Sequence, residues 1–153
     1  MQEFYRPYNQ SALAGLAIVL CAAAATSQAA DRTADMRMLG DCRSCEFDGR
    51  DFTGHRLKGV DLSEARLTRT LFRRAALGIA VFDGATLTDV SFEGADLRGA
   101  SFVGARLVDV TFADANLKGA IFEGAILKQT DLQLGQLCNT QMPDDAMDNT
   151  GCD

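Results

Sequence analysis

Ala80-Val81-Phe82-Asp83-Gly84-Ala85-Thr86-Leu87-Thr88-Asp89-Val90-Ser91-Phe92-Glu93-Gly94-Ala95-Asp96-Leu97-Arg98-Gly99 puts a large apolar side chain at every fifth position, at Phe82, Leu87, Phe92 and Leu97. The column continues unbroken on both sides, back through Leu77, Phe72, Leu67, Leu62, Leu57, Phe52 and Phe47, and forward through Phe102, Leu107, Phe112, Leu117, Phe122, Leu127, Leu132 and Leu137. Two residues before most of these centres stands Ala or Val. Residues two apart in an extended chain point to the same side, so each unit sends one small and one large apolar group inward. Two residues after the centre stands Gly in nine units, where a corner needs a permissive backbone. A helix is excluded, because a 3.6-residue turn would smear a period of five around its whole circumference. Short extended segments joined by regular corners stack into a coil, which is how a repeat chain buries a narrow apolar face.

The units Val60-Asp61-Leu62-Ser63-Glu64, Ala95-Asp96-Leu97-Arg98-Gly99 and Ala115-Asn116-Leu117-Lys118-Gly119 resemble the A(D/N)LxX units of the pentapeptide-repeat family. The resemblance spans residues 45–139. It implies an all-β fold, a right-handed quadrilateral β-helix with four units per coil and about five coils in all. Residues twenty apart then stack on one wall, and the ladders sort by type. Phe52, Phe72, Phe92 and Phe112 share one wall; Phe82, Phe102 and Phe122 share the opposite wall with Leu62; the other two walls are Leu, save Phe47. Stacked rings at a coil spacing of ~4.8 Å would add ~0.5–1.5 kcal/mol per pair.

Residues 1–29 stand apart from the repeat. Arg6 precedes an apolar run from Ala12 to Ala25, and Ser27-Gln28-Ala29 suits cleavage before Ala30, so the segment reads as a secretory signal peptide. The run is short for a membrane span, which needs ~20 residues. Bulky Leu20 before Cys21 argues against a lipid-modified cysteine. Four segments result: a signal peptide at 1–29, an N-terminal cap at 30–44, the solenoid at 45–139 and a disulfide-closed tail at 140–153. The expected location is periplasmic or extracellular, with no membrane span once the signal is removed. Segment 1–29 carries one Glu and one Arg, so the formal charge is −6 with or without it. That balance argues against nucleic acid as partner. Pro143 and the lack of an apolar helical stripe leave no evident dimerisation helix.

Four cysteines remain after export, and an even number suits an oxidising compartment. Within the coil geometry, Cys42 continues the fifth-position column and Cys45 takes a small inward position, so a bridge between them spans one corner. Cys138 and Cys152 would close the tail over the last coil, a segment that resembles the cysteine-bounded MPD ending of secreted family members. A redox CxxC lacks its βαβ setting here, and zinc held by all four cysteines fails because the pairs lie at opposite ends of the rod. His55, the only histidine, takes an inward position in the first coil near Arg50 and Cys45. It reads as a polar residue of the rod's end rather than a base or metal ligand. Searching for further chemistry gives neither a catalytic motif nor a cofactor motif.

Sorting the outward residues by wall leaves one asymmetry. The wall of Phe82, Phe102 and Phe122 carries Asp61, Glu64, Asp83 and Glu123 with no basic residue, together with Val81, Val103 and Ile121. Its neighbour, the wall of Leu97, carries Arg56, Lys58, Arg98 and Lys118 against Asp96. These features point to an exported, non-enzymatic, structural or protein-interaction module that binds a protein in the envelope or outside the cell through its acidic wall. The alternative is mimicry of DNA, as in family members that protect gyrase; export and the mixed charge map count against it.

Overall fold

Phe82 donates its backbone N–H to Ser101 O at 2.7 Å, Leu97 to Asn116 O at 2.9 Å and Phe102 to Ile121 O at 2.7 Å, each nineteen residues ahead. One such bond closes one coil. The computed structural model describes residues 42–152; the expected signal peptide (1–29) and residues 30–41 of the expected cap lie outside them. Among the described residues no helix is long and apolar enough to cross a membrane.

All pairings between coils are parallel and in a twenty-residue register. Strands β1 (Glu46–Asp48), β2 (Arg66–Thr68), β3 (Thr86–Thr88), β4 (Arg106–Val108) and β5 (Ile126–Lys128) form one five-stranded sheet in chain order. Phe47 lies opposite Leu67, Leu67 opposite Leu87, Leu87 opposite Leu107 and Leu107 opposite Leu127. The other three walls pair through single bridges such as Leu71–Ser91, Ala76–Asp96 and Val81–Ser101. The difference lies in the corners. On those three walls a tight turn closes behind the centre, as in Ala85 N–H to Phe82 O at 3.0 Å and Ala80 N–H to Leu77 O at 3.0 Å. Behind β2, β3 and β4 that turn bond is missing, and the next inward residue is Thr70, Val90 or Val110 rather than Ala. The wider corner takes a β-branched side chain, which favours extended backbone. All three are buried.

The core is the column that the period marks. Centres from Phe52 to Phe122 are buried, most of them fully, and the inward Ala positions close around them. The two Phe walls interlock. Within each wall the rings stack at 4.7–5.3 Å, and between walls Phe72, Phe82, Phe92, Phe102, Phe112 and Phe122 meet edge to face at 5.6–6.3 Å.

At both ends the ladder runs past the expected 45–139 span. Cys42 N–H donates to Asp61 O and Ser44 N–H to Ser63 O, so the described part of the expected cap is already a unit of the acidic wall. At the far end Gln141 N–H bonds Ala120 O and Gly124 N–H bonds Pro143 O. Buried Thr140 replaces the usual Ala and donates its hydroxyl to Leu117 O at 2.9 Å. A 3-10 turn over Leu132–Leu134 interrupts the corner pattern. The tail then folds back, with β6 (Thr140–Gln141) antiparallel to β7 (Met147–Asp148).

Candidate interaction surfaces

The residue before each centre points outward and sits beside a backbone N–H that the ladder leaves free. A short polar side chain there accepts that N–H: Asp51 from Thr53 at 2.9 Å, Asp61 from Ser63 at 3.1 Å, Asn116 from Lys118 at 3.2 Å and Asp131 from Gln133 at 2.8 Å. This Asx turn is the physical content of the Asp/Asn position in the repeat. Several of the carboxylates therefore hold corners, a role that the sorting of outward residues by charge did not contain.

Asp61 shows it most fully. The Ser63 hydroxyl donates to its carboxylate at 2.5 Å, the Ser63 N–H adds a second bond, and Arg43 donates at 2.6 Å. Together they hold its pKa down at about 2. Arg43 also corrects the charge of this wall. Because Cys42 lies one coil above Leu62, Arg43 falls on the acidic wall, which had been expected to carry no basic residue. Asp83 reaches to the next coil, where Val103 N–H and the Ser101 hydroxyl donate to it. Glu64 and Glu123 are the exposed carboxylates that remain, and Val81, Val103 and Ile121 are half-buried beside them.

The neighbouring wall is differently built. Arg98 clasps Asp96 within its own unit through two bonds of 2.7 Å, and this contact lowers the carboxyl pKa. Lys58 and Lys118 form no ion pair among the described residues. Ile79, which the sequence sorting overlooked, stands on this wall with 58% of its surface exposed. It takes the corner position at φ 55°, between Gly59 and Gly99 of the adjacent coils. A β-branched residue at positive φ is a real outlier. Among the described residues ten non-glycine residues share that corner conformation, and no pattern in residue type announced it there.

Cys42 is bonded to Cys45 and Cys138 to Cys152, with Cα atoms 5.3 and 4.8 Å apart. His55 is half-buried at the first coil, its Nδ1 3.1 Å from Thr53 O and its ring edge-on to Phe52. Among the described residues no group of three or more His, Cys, Asp or Glu is placed to hold a metal ion.

A family model described as a pentapeptide repeat region matches residues 65–142, and another, pentapeptide repeats (8 copies), matches residues 41–77. No curated protein matches the chain. Among solved structures, the pentapeptide repeat protein Rfr23 from the cyanobacterium Cyanothece 51142 is 21% identical, covering 74% of this chain and 96% of its own, at a TM-score of 0.34. HetL, involved in heterocyst differentiation regulation in Nostoc sp. strain PCC 7120, is 16% identical over 72% and 92%, at 0.31. A pentapeptide repeat protein of the Arabidopsis thaliana thylakoid lumen is 27% identical over 70% and 71%, at 0.28. The matched residues reach from one end of the observed ladder to the other, and one description alone spans half the chain: it belongs to the pentapeptide-repeat family, as a right-handed quadrilateral β-solenoid.

Proposed function

We propose that this solenoid is an exported, non-enzymatic scaffold that presents a rigid wall to a protein in the periplasm or outside the cell. The observation that carries the reading is the pair of end staples, Cys42–Cys45 and Cys138–Cys152. Disulfides persist where the compartment is oxidising, and the apolar run before Ala30 gives a route there. The contact surface is the acidic wall, reduced by Arg43's hold on Asp61 to the strip of Glu64, Val81, Asp83, Val103, Ile121 and Glu123. Flat parallel backbone fixes the spacing of these groups, the half-buried apolar side chains supply desolvation, and the carboxylates steer a basic partner surface. Mimicry of a nucleic-acid duplex fits less well, since Arg56, Lys58, Arg98 and Lys118 interrupt the negative surface on the adjoining wall.

Cell fractionation followed by intact-mass and non-reducing peptide mapping tests the reading. The expected product begins at Ala30, sits outside the cytosol and carries both bridges. A cytosolic chain that retains Met1, with Cys42, Cys45, Cys138 and Cys152 all free thiols, would overturn it. For the surface, replacing Val81 and Ile121 with Thr should weaken capture of an envelope partner, whereas Lys58→Gln with Lys118→Gln should not; the reverse pattern moves the contact to the basic wall.

A further inference from the structure

The last coil is one strand short. In the coil above, Ala105 O accepts from Ile126 N–H at 2.8 Å and Asp109 N–H donates to Lys128 O at 3.0 Å. Twenty residues on, Ala125 O and Gln129 N–H hold the same places with no hydrogen-bond partner among the described residues. The peptide groups of Leu127 face the same way, and β5 ends the sheet with a neighbour on one side only. Side chains report the same vacancy. Leu67, Leu87 and Leu107 are fully buried, while Leu127 is half-buried and Ile126 is 50% exposed. The other three walls are closed at this end by the units of Leu132, Leu137 and Met142.

The position itself specifies what fits. A parallel strand there needs a large apolar centre against Leu127, and beside it a residue facing Lys128, which is exposed and forms no ion pair among the described residues. The chain's own Ala146-Met147-Asp148 meets this description and lies twenty residues past β5. It is held elsewhere. Met147 and Asp148 pair antiparallel with Gln141 and Thr140, Gln133 donates to Asp148, Asn139 N–H donates to Asn149, and Cys152 is bonded to Cys138.

We propose that the free edge of β5 is a strand-acceptor site. An extended segment of a partner polypeptide, with an apolar residue against Leu127 and a carboxylate against Lys128, docks there as the missing strand of the sixth coil. Unpaired N–H and C=O groups supply the attraction, the register supplies the side-chain pattern, and the tethered tail keeps the place open. This site is separate from the acidic wall and stands or falls independently of it.

The test uses the full disulfide-bonded chain and a labelled peptide with the sequence of residues 143–150 as probe, followed by fluorescence anisotropy and by amide hydrogen exchange. Saturable binding is expected, with exchange at the Leu127 and Gln129 amides slowed on addition of peptide. Lys128→Glu should weaken binding about tenfold by setting like charges together. Methylating the probe's amides at the positions of Ala146 and Asp148, which would face β5, should abolish binding, whereas methylating the amide at the position of Met147, which would face away, should not. Absence of saturation, or indifference to the position of methylation, would overturn the proposal. So would slow exchange at Leu127 and Gln129 in the free chain, since that means the chain's own tail or a second copy already covers the edge.

Discussion

Ile79 occupies a backbone position that its neighbours above and below, Gly59 and Gly99, fill without strain. A left-handed conformation sets an L side chain against the following carbonyl at ~1–2 kcal/mol, and β-branching at Ile79 leaves few rotamers to relieve it. Ile79→Gly is therefore expected to raise the thermal midpoint by several degrees despite the loss of an exposed apolar surface. Gly99→Ala should lower it, because its Cβ would sit 3.3 Å from Ile79 Cγ2 on a residue at φ 66°. Circular dichroism melts check both, and a lower midpoint for Ile79→Gly would show that the side chain's contacts outweigh the strain. At this scale the sequence was readable where residue type and conformation coincide, as at the nine corner glycines. Glu64, Arg69, Ile79 and Asp109 adopt the same angle because the ladder bonds on both sides impose it, and a tertiary constraint leaves no trace in the identity of one residue.

Among the elements, the two Phe ladders were legible because the family resemblance implied four units to a coil, and units of five in that register put like residues over like. Edge-to-face locking between the ladders was not, since it depends on how closely the two walls approach across the core. Phe92 takes part in both, stacked on Phe72 and Phe112 and edge-on to Phe82 and Phe102. Phe92→Ala is expected to destabilise by ~3–5 kcal/mol, the range for a buried ring replaced by a cavity. Phe92→Leu should lose markedly less, as the volume is largely kept. Urea titration of both variants decides it, and equal losses would mean that ring geometry rather than volume governs the site. Sequence also held a muted sign of which wall forms true strands. Thr70, Val90, Val110 and Thr130 recur every twenty residues behind that wall, yet Val60 interrupts the signal by appearing behind another.

Across the whole molecule, the solenoid ends were the hardest part to read, because Cys42 and Met142 occupy centre positions without being Phe or Leu. Cys42 continues the column in the sequence, but only the hydrogen bonds carry the ladder through it and through the unit of Met142. The candidate surface was legible as charge and not as chemistry: the same acids that give the wall its sign also hold its corners, and this double role makes the rod's response to acid predictable. Hydrogen bonds from Ser63 and Arg43 lower the Asp61 pKa to about 2, and bonds from Thr53, Arg98 and Thr150 lower those of Asp51, Asp96 and Asp148. A carboxylate depressed in the folded state adds stability above its unfolded value of ~3.9, and loses it as pH falls through the folded value. Stability should thus hold level from neutrality down to about pH 5 and then decline between about pH 4 and 2, with Asp61 the last of these groups to protonate. Asp61→Asn keeps an acceptor for Ser63 but loses the charge that Arg43 clasps. It should be less stable than the parent at neutral pH and converge with it near pH 2, a pattern that denaturant titration across the range would reveal. If the two curves run parallel down to pH 2, the Asp61 cluster is not coupled to folding, and acid sensitivity must arise from the other corner carboxylates.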